Sequence, residues 1–145
     1  MRSNGTDDLH HWRQIAQMLP YERLTAWQVC YELVIAVYRS SATFPKHELY
    51  GLTSQARRAA VSAAANIAEG SAKRGSREFR RFLDMSIGSL AELAFILRLA
   101  RDLDILTKDS WSQLDELRRR AGYLTWRLYR SVTGQRHEAA GAVGK

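Results

Sequence analysis

The chain is predicted to fold as an all-α protein, an antiparallel up-down-up-down bundle of four helices, and three observations lead there. Its 145 residues include only two prolines and nine glycines. Helix formers such as Ala, Leu, Arg and Gln dominate residues 24–132. Apolar residues in that span recur every three or four positions, in four runs separated by short breaks. With 46% apolar content the chain is sized for one domain that folds without disulfide staples.

Residues 1–23 mix Asn4, Gly5, Asp7 and Asp8 with His10, His11 and a brief apolar patch that Pro20 interrupts, which predicts a flexible N-terminal extension. Helix one covers residues 24–42, opened by Thr25 as a cap, with Trp27, Cys30, Tyr31, Val34, Val37 and Tyr38 recurring at helical spacing. Pro45 breaks it. Helix two, LYGLTSQARRAAVSAAANIAEGSAK, spans residues 49–73 and stops before Gly75. Ser76 is expected to cap helix three, residues 77–104, whose Phe79, Phe82, Leu83, Ser86, Leu90, Leu93 and Leu97 share a face. Ser110 is expected to cap helix four, lined by Leu114, Leu117, Ala121, Leu124, Leu128 and Val132. The bundle is thus assigned residues 24–133, and residues 134–145 a disordered tail.

A second apolar side follows from placing residues at 100° steps. On helix two, Leu52, Ala56, Ala59, Ala60, Ala63 and Ile67 form one side, with Val61, Ala64, Ala65, Ala68 and Ala72 nearly opposite. On helix three, Phe95 and Leu99 lie away from Phe79 and Leu97. Single exposed apolar residues are ordinary, but two helices sharing the habit favour packing against other copies. A homo-oligomer is expected.

Several function classes find no footing. GSAKRGS, residues 70–76, lacks the Lys directly after the last glycine that a phosphate-binding loop needs, and no strand precedes it. Di-metal bundles pair Glu with His three residues on, whereas Glu32, Glu69 and Glu92 are followed at that spacing by Ile35, Ala72 and Phe95. His10, His11, His47 and His137 show no metal spacing, and Cys30 lies in an apolar run as a small core residue without a histidine to activate it. Neither enzyme activity nor a metal or cofactor is expected. The apolar runs are too short to span a bilayer, no secretion signal is evident and a lone cysteine fits a reducing compartment, so a cytoplasmic location is expected.

Asn66 and Glu69 share an arc of helix two with Gln55, Arg58 and Ser62. Three readings stand: a solvated polar stripe, a hydrogen-bonded network reaching Ser86, Ser89 or Glu92 on helix three, or an active site. The net charge of +7 favours acidic partners, and its distribution matters more than its sum. Residues 46–75 hold five basic side chains against two acidic, and residues 107–133 six against three, while residues 1–45 and 76–106 balance. Lys73, Arg74, Arg77, Arg80 and Arg81 crowd the turn between helices two and three, with Arg57 and Arg58 behind them. Helix four places Arg119, Arg120, Arg127 and Arg130 on one broad side with Tyr123 among them and Trp126 at the margin. Such a face is either solvated and paired to Asp and Glu, or suited to phosphate contact and base stacking on single-stranded or irregular RNA. Repetition around an oligomer would multiply the contacts.

The order FP, YGL, Q-x-RRAA-x-S, NIAEG and GSLAEL, within residues 24–132, resembles the four-helix-bundle proteins encoded by intervening sequences of bacterial large-subunit ribosomal RNA genes. That family is itself similar to the accessory variability proteins of diversity-generating retroelements. The resemblance implies a homopentameric ring with a basic surface and no catalytic set. It implies ribosomal RNA as an associate, or, on the retroelement side, a reverse transcriptase and its RNA template. Tyr50, Gly51, Arg57, Arg58, Asn66, Glu69, Gly70, Ser89 and Glu92 carry it and fit structural or assembly roles as well as binding.

Overall fold

In the computed structural model, which describes Leu9 and residues 19–142 and gives side chains through Val132, packed chain begins with a 3-10 turn at Pro20–Arg23. Proline at the first position sacrifices no hydrogen bond there. The Tyr21 ring meets Trp27 at 4.6 Å, and Gln28 Nε2 donates to the Glu22 carbonyl at 2.8 Å. These contacts attach residues that the sequence assigned to the extension; the remainder of the extension, Leu9 aside, lies outside the described residues.

Helix α1 is Thr25–Ser41, and Leu24 rather than Thr25 is its N-cap, in extended backbone without a side-chain hydrogen bond. It buries Ala26, Val29, Cys30, Leu33 and Val37, whereas Tyr31 and Tyr38 stay about half exposed. Gln28, Glu32 and Arg39 share one exposed side, and the wide apolar remainder of the helix ends in the tyrosines at one edge. The aliphatic part goes in, and the tyrosines, whose hydroxyls need partners, remain outside.

A 3-10 turn, Lys46–Glu48, and a π-helical turn, Leu49–Thr53, precede α2, Ser54–Ser71, so helix two starts later than the sequence suggests. Gly51 leaves helical geometry at φ −108°, ψ −115°, while the Glu48 carboxylate accepts from the Leu52 amide at 3.0 Å. A Cβ on Gly51 would sit 2.5 Å from Glu48 Oε2, so a side chain there would displace the carboxylate that accepts from the Leu52 amide. Helix α2 buries Ala56, Ala59, Ala60, Ala63, Ala64, Ile67 and Gly70. The predicted inward side holds; Ala64, placed with the outward side, is buried.

Gly75, at φ +86°, is the N-cap of α3, Ser76–Asp102, rather than the stop of α2, and Ser76 is the first helical residue. The helix ends where the Ile105 amide donates to the Ala100 carbonyl at 2.9 Å and the Asp104 amide to Arg101 at 3.0 Å, with Asp104 left-handed at φ 58°. Helix α4 is Lys108–Ala142. Thr107, not Ser110, caps it, since Thr107 Oγ1 accepts from the Ser110 amide at 3.2 Å. The backbone stays helical past residue 133, where a disordered tail was expected. Once nucleated, a helix propagates through formers such as Gln, Arg, Glu and Ala without any apolar spacing.

Among the described residues there are four long α-helices and no strand. Each packs on its neighbours in sequence, and α1 closes the set against α4. Leu33, Ile67, Leu83, Leu93, Ile96 and Leu97 are essentially inaccessible at the centre, each contributing about 1.5–3 kcal/mol by leaving water. The α2–α3 contact is the most extensive. Gly70 makes it close: a Cβ there would lie 2.6 Å from Phe82 Cβ, so NIAEG ends in glycine because a neighbouring helix occupies the space.

Candidate nucleic-acid interface

Helix α4 turns Leu114, Ala121, Thr125 and Val132 inward, with Thr125 Oγ1 donating to the Ala121 carbonyl at 2.7 Å. Steps of 100° from these residues bring Arg119, Tyr123, Trp126 and Arg130 to the outer side, flanked by Arg120 and Arg127. All six are exposed, Tyr123 at 58% and Trp126 at 46%. The Arg127 guanidinium lies 5.8 Å from the Tyr123 ring centroid and that of Arg130 4.9 Å from Trp126, both at i,i+4 spacing. Trp126 lies at the edge of this arginine-bearing side and is open to solvent there.

One carboxylate interrupts the positive charge. Asp115, buried, takes Arg118 Nε and Nη2 on Oδ1 at 2.9 and 2.7 Å and Arg119 Nε on Oδ2 at 3.0 Å. Arg119 is thereby partly neutralised. Burial of Asp115 could not be read from spacing, because it lies off the apolar stripe and is covered by the arginines it holds. Glu116, exposed, borders a hollow with Trp111, Ser112 and Arg119 and marks the N-terminal limit of the basic face.

At the turn between α2 and α3, Lys73, Arg74, Arg77 and Arg81 are exposed. Arg81 pairs with Glu78 at 3.2 Å and lies 4.8 Å from the Phe82 ring centroid, with Lys73 5.6 Å from the same ring. Arg80 differs. It is half-buried, and its Nε is buried with no hydrogen-bond partner.

Arg57 and Arg58 are neighbours with separate roles. Arg57 Nε donates to Ser41 Oγ at 2.9 Å, its Nη2 to the Tyr38 carbonyl at 3.5 Å, and its guanidinium covers the Tyr38 ring at 4.6 Å. It sits at the C-terminal end of α1, where the helix dipole favours a cation, and shares the Tyr38 carbonyl with the Ala42 amide at 3.1 Å and the Ser41 hydroxyl at 3.3 Å. Arg57, assigned by sequence to a binding face, is thus committed inside the protomer. Arg58 is exposed beside it.

The polar arc of α2 resolves into a directed chain. Asn66 Nδ2 donates to the Ser62 carbonyl at 2.8 Å and to Ser62 Oγ at 3.1 Å. Ser62 Oγ lies 2.8 Å from Ser89 Oγ, and Ser89 donates to the Met85 carbonyl at 3.0 Å. Because the Ser89 proton is spent on Met85, Ser62 is the donor to Ser89, so every hydroxyl proton has an acceptor. Ser86 separately donates to the Ala63 carbonyl at 2.8 Å. Glu69 and Glu92 are exposed and stand outside this chain; Glu92 borders a polar hollow with Gln55, Arg58 and Ser62.

Of the residues expected on a second apolar side, Val61 and Ala65 are exposed, Ala68 and Leu99 are half-buried, and Phe95 is 64% exposed. Burial pushes the Cys30 thiol up to about 11, opposed in part by the Thr125 hydroxyl 3.9 Å away. Among the described residues no three His, Cys, Asp or Glu side chains are grouped to hold a metal ion, and no helix is long and apolar enough to cross a membrane.

No curated protein matches the chain. A family model described as 23S rRNA-intervening sequence protein matches residues 22–125, from Glu22 before α1 through the seam of α2 and α3 and on to Thr125 of α4. The chain belongs to the 23S rRNA-intervening sequence protein family.

Proposed function

We propose that the chain is a non-enzymatic nucleic-acid-binding module that acts as a cytoplasmic homo-oligomer and takes RNA in preference to DNA. The observation that carries this reading is the outer side of α4, where Arg120, Arg127 and Arg130 stand exposed beside Tyr123 and Trp126. Arginine with an aromatic neighbour offers charge to a phosphate and a flat surface to a base. The turn at Lys73, Arg74, Arg77 and Arg81 adds a second anchor. The family description, naming an intervening sequence of 23S rRNA, agrees with an RNA partner.

An antiparallel protomer is supported by the pairings of α2 with α3, which run in opposite senses: Gly70 with Phe82, Ala63 with Ser86, Ser62 with Ser89. Arg101 against Trp111 at 4.2 Å sets the start of α4 beside the end of α3, as a reversal of direction at that turn requires. Self-association would use the outward sides of α2 and α3, with Val61, Ala65, Ala68, Phe95 and Leu99 covered by a second copy. A ring of five is the arrangement the family resemblance implies.

Binding of labelled RNA across a salt series tests the reading. Replacing Arg74, Arg77 and Arg81 with Ala should weaken binding and lower the log–log salt slope by roughly 1–2, at about 0.7 per lost single-strand phosphate contact. A slope that stays put removes the turn from the interface.

A cleft of about 570 Å³ favours a second reading. It lies between Tyr38, Leu49, Tyr50, Thr53, Arg58 and Val61, and Tyr50 is 92% exposed. An exposed aromatic beside an apolar cleft suits a protein partner, and the related accessory variability proteins suggest a reverse transcriptase. Capture of such a partner that survives thorough nuclease treatment would favour the adaptor over the nucleic-acid module.

A further inference from the structure

Resting on the nucleic-acid reading, we infer that the outer side of α4 is a stacking platform for unpaired nucleotides, with Trp126 and Tyr123 as the two base-receiving rings. The turn at residues 73–81 then supplies phosphate contacts without selecting between single and double strands. The two basic regions differ in what accompanies their charge. At the turn, the aromatic partner of Lys73 and Arg81 is Phe82, and Phe82 is buried at 6% exposure, so no base can reach its face. On α4 both rings are open to solvent.

Tyr123 and Trp126 are three residues apart, about 4.5 Å along the helix axis, and so are neighbours on one face. Each has an arginine one turn on, Arg127 and Arg130, lying over the ring. Ring and guanidinium together form a flat, cationic step. An unpaired base can stack on either plane while the free N–H groups of the arginine reach the adjoining phosphate. A base inside a duplex has both faces occupied by its neighbours, and a convex helix side cannot unstack it without a wedge and a bent duplex. The platform therefore discriminates by strandedness, and its chemistry is common to RNA and DNA.

The test uses the full chain and four fluorescein-labelled probes of one sequence: a 20-nucleotide RNA strand, the equivalent DNA strand, and the duplex of each. Anisotropy titrations at about 0.1 M salt should give at least tenfold tighter binding to single strands than to duplexes. Changing Tyr123 and Trp126 together to Leu keeps apolar bulk at exposed positions and removes the flat faces. Single-strand affinity should fall by between about 5- and 150-fold per ring lost, with the strand preference collapsing. Changing Arg127 and Arg130 to Lys keeps charge but not planarity, and should lower single-strand affinity with an unchanged salt slope. Equal affinity for strands and duplexes, or a Leu variant that keeps its single-strand preference, would overturn the platform while leaving nucleic-acid binding intact. Failure of all four probes to bind even in dilute buffer would remove the broader reading, and the platform with it. A DNA strand bound as tightly as the RNA strand would support stacking and contradict the RNA preference alone.

Discussion

The seam between α2 and α3 and the outer side of α4 both hold unusual residues, and they use them in opposite ways. At the seam, Gly70 lets Phe82 approach and the Asn66–Ser62–Ser89 chain closes on the Met85 carbonyl, so polar and small residues there are consumed by packing. On α4, Arg120, Tyr123, Trp126, Arg127 and Arg130 are left to solvent. The most distinctive motif in the sequence, NIAEG, is a device for building the protomer. The surface able to meet a partner has no compact motif at all, because a face assembled at i, i+3, i+4 and i+7 leaves no contiguous string.

Breaking the seam should cost the most. Gly70→Val drives a branched side chain into the Cβ of Phe82, which cannot swing away, and should destabilise the protein by about 3 kcal/mol in urea titration. A loss under about 0.5 kcal/mol would mean that the helices separate easily and that the seam is not close-packed.

Cys30 probes the interior on the other flank, where α1 meets Thr125 of α4. The folded thiol ionises near 11 against 9.0 for an ordinary thiol, so between these values the unfolded chain releases its proton first. Stability contributed by the neutral thiol is present below pH 9 and is lost as pH rises toward 11, to an extent on the order of 2 kcal/mol. The wild-type protein should therefore lose more stability than Cys30→Ala between pH 8.5 and 10.5, with the difference read from paired urea midpoints. Parallel pH dependence in the two proteins would show the thiol to be hydrated.

Arg57 and Arg58 sharpen the contrast between built-in and available charge. Arg57→Ala removes the hydrogen bond to Ser41 and the cover over the Tyr38 ring at the end of α1 and should cost about 1 kcal/mol of stability. Arg58→Ala should leave stability within about 0.5 kcal/mol. The hydroxyl chain gives effects of a modest size similar to that of Arg57→Ala. Ser62→Ala and Ser89→Ala should each cost about 1 kcal/mol, and the double variant less than the sum, because either change alone already breaks the Ser62–Ser89 link. Strict additivity would argue against a coupled chain.

Much of the bundle was legible. Leu52 just before α2, Ala56, Ala59, Ala60, Ala63 and Ile67 on α2, and Phe82, Leu83, Ser86, Leu90, Leu93 and Leu97 on α3 are buried as their spacing indicates. Helix α1 was only partly legible: Gln28, Glu32 and Arg39 mark one exposed side, but the wide apolar remainder left Tyr31 and Tyr38, at its edge, indistinguishable by spacing from the buried Ala26, Val29 and Leu33. Caps were displaced by one to three residues: Thr107 does what Ser110 was expected to do, and Gly75 what Ser76 was. At α4 several hydroxyl residues compete and geometry selects Thr107, whereas α1 and α3 begin at Leu24 and Gly75 without any side-chain cap, so the hydroxyl signal one residue on marks the start and not the cap. For the candidate surface, sequence found the arginines of α4 but could not separate Arg57, fixed over Tyr38, from Arg58 beside it, or see that Asp115 gathers Arg118 and Arg119.

The most direct measurement of the binding surface is the log–log dependence of single-stranded RNA affinity on salt, for the wild-type protein and for a variant with Arg120, Arg127 and Arg130 all changed to Ala. At about 0.7 per phosphate contact, the slope should fall by roughly 2 in magnitude while far-ultraviolet circular dichroism and the urea midpoint hold. Two parallel salt lines with the same affinity would contradict the assignment of α4 as the nucleic-acid-binding face.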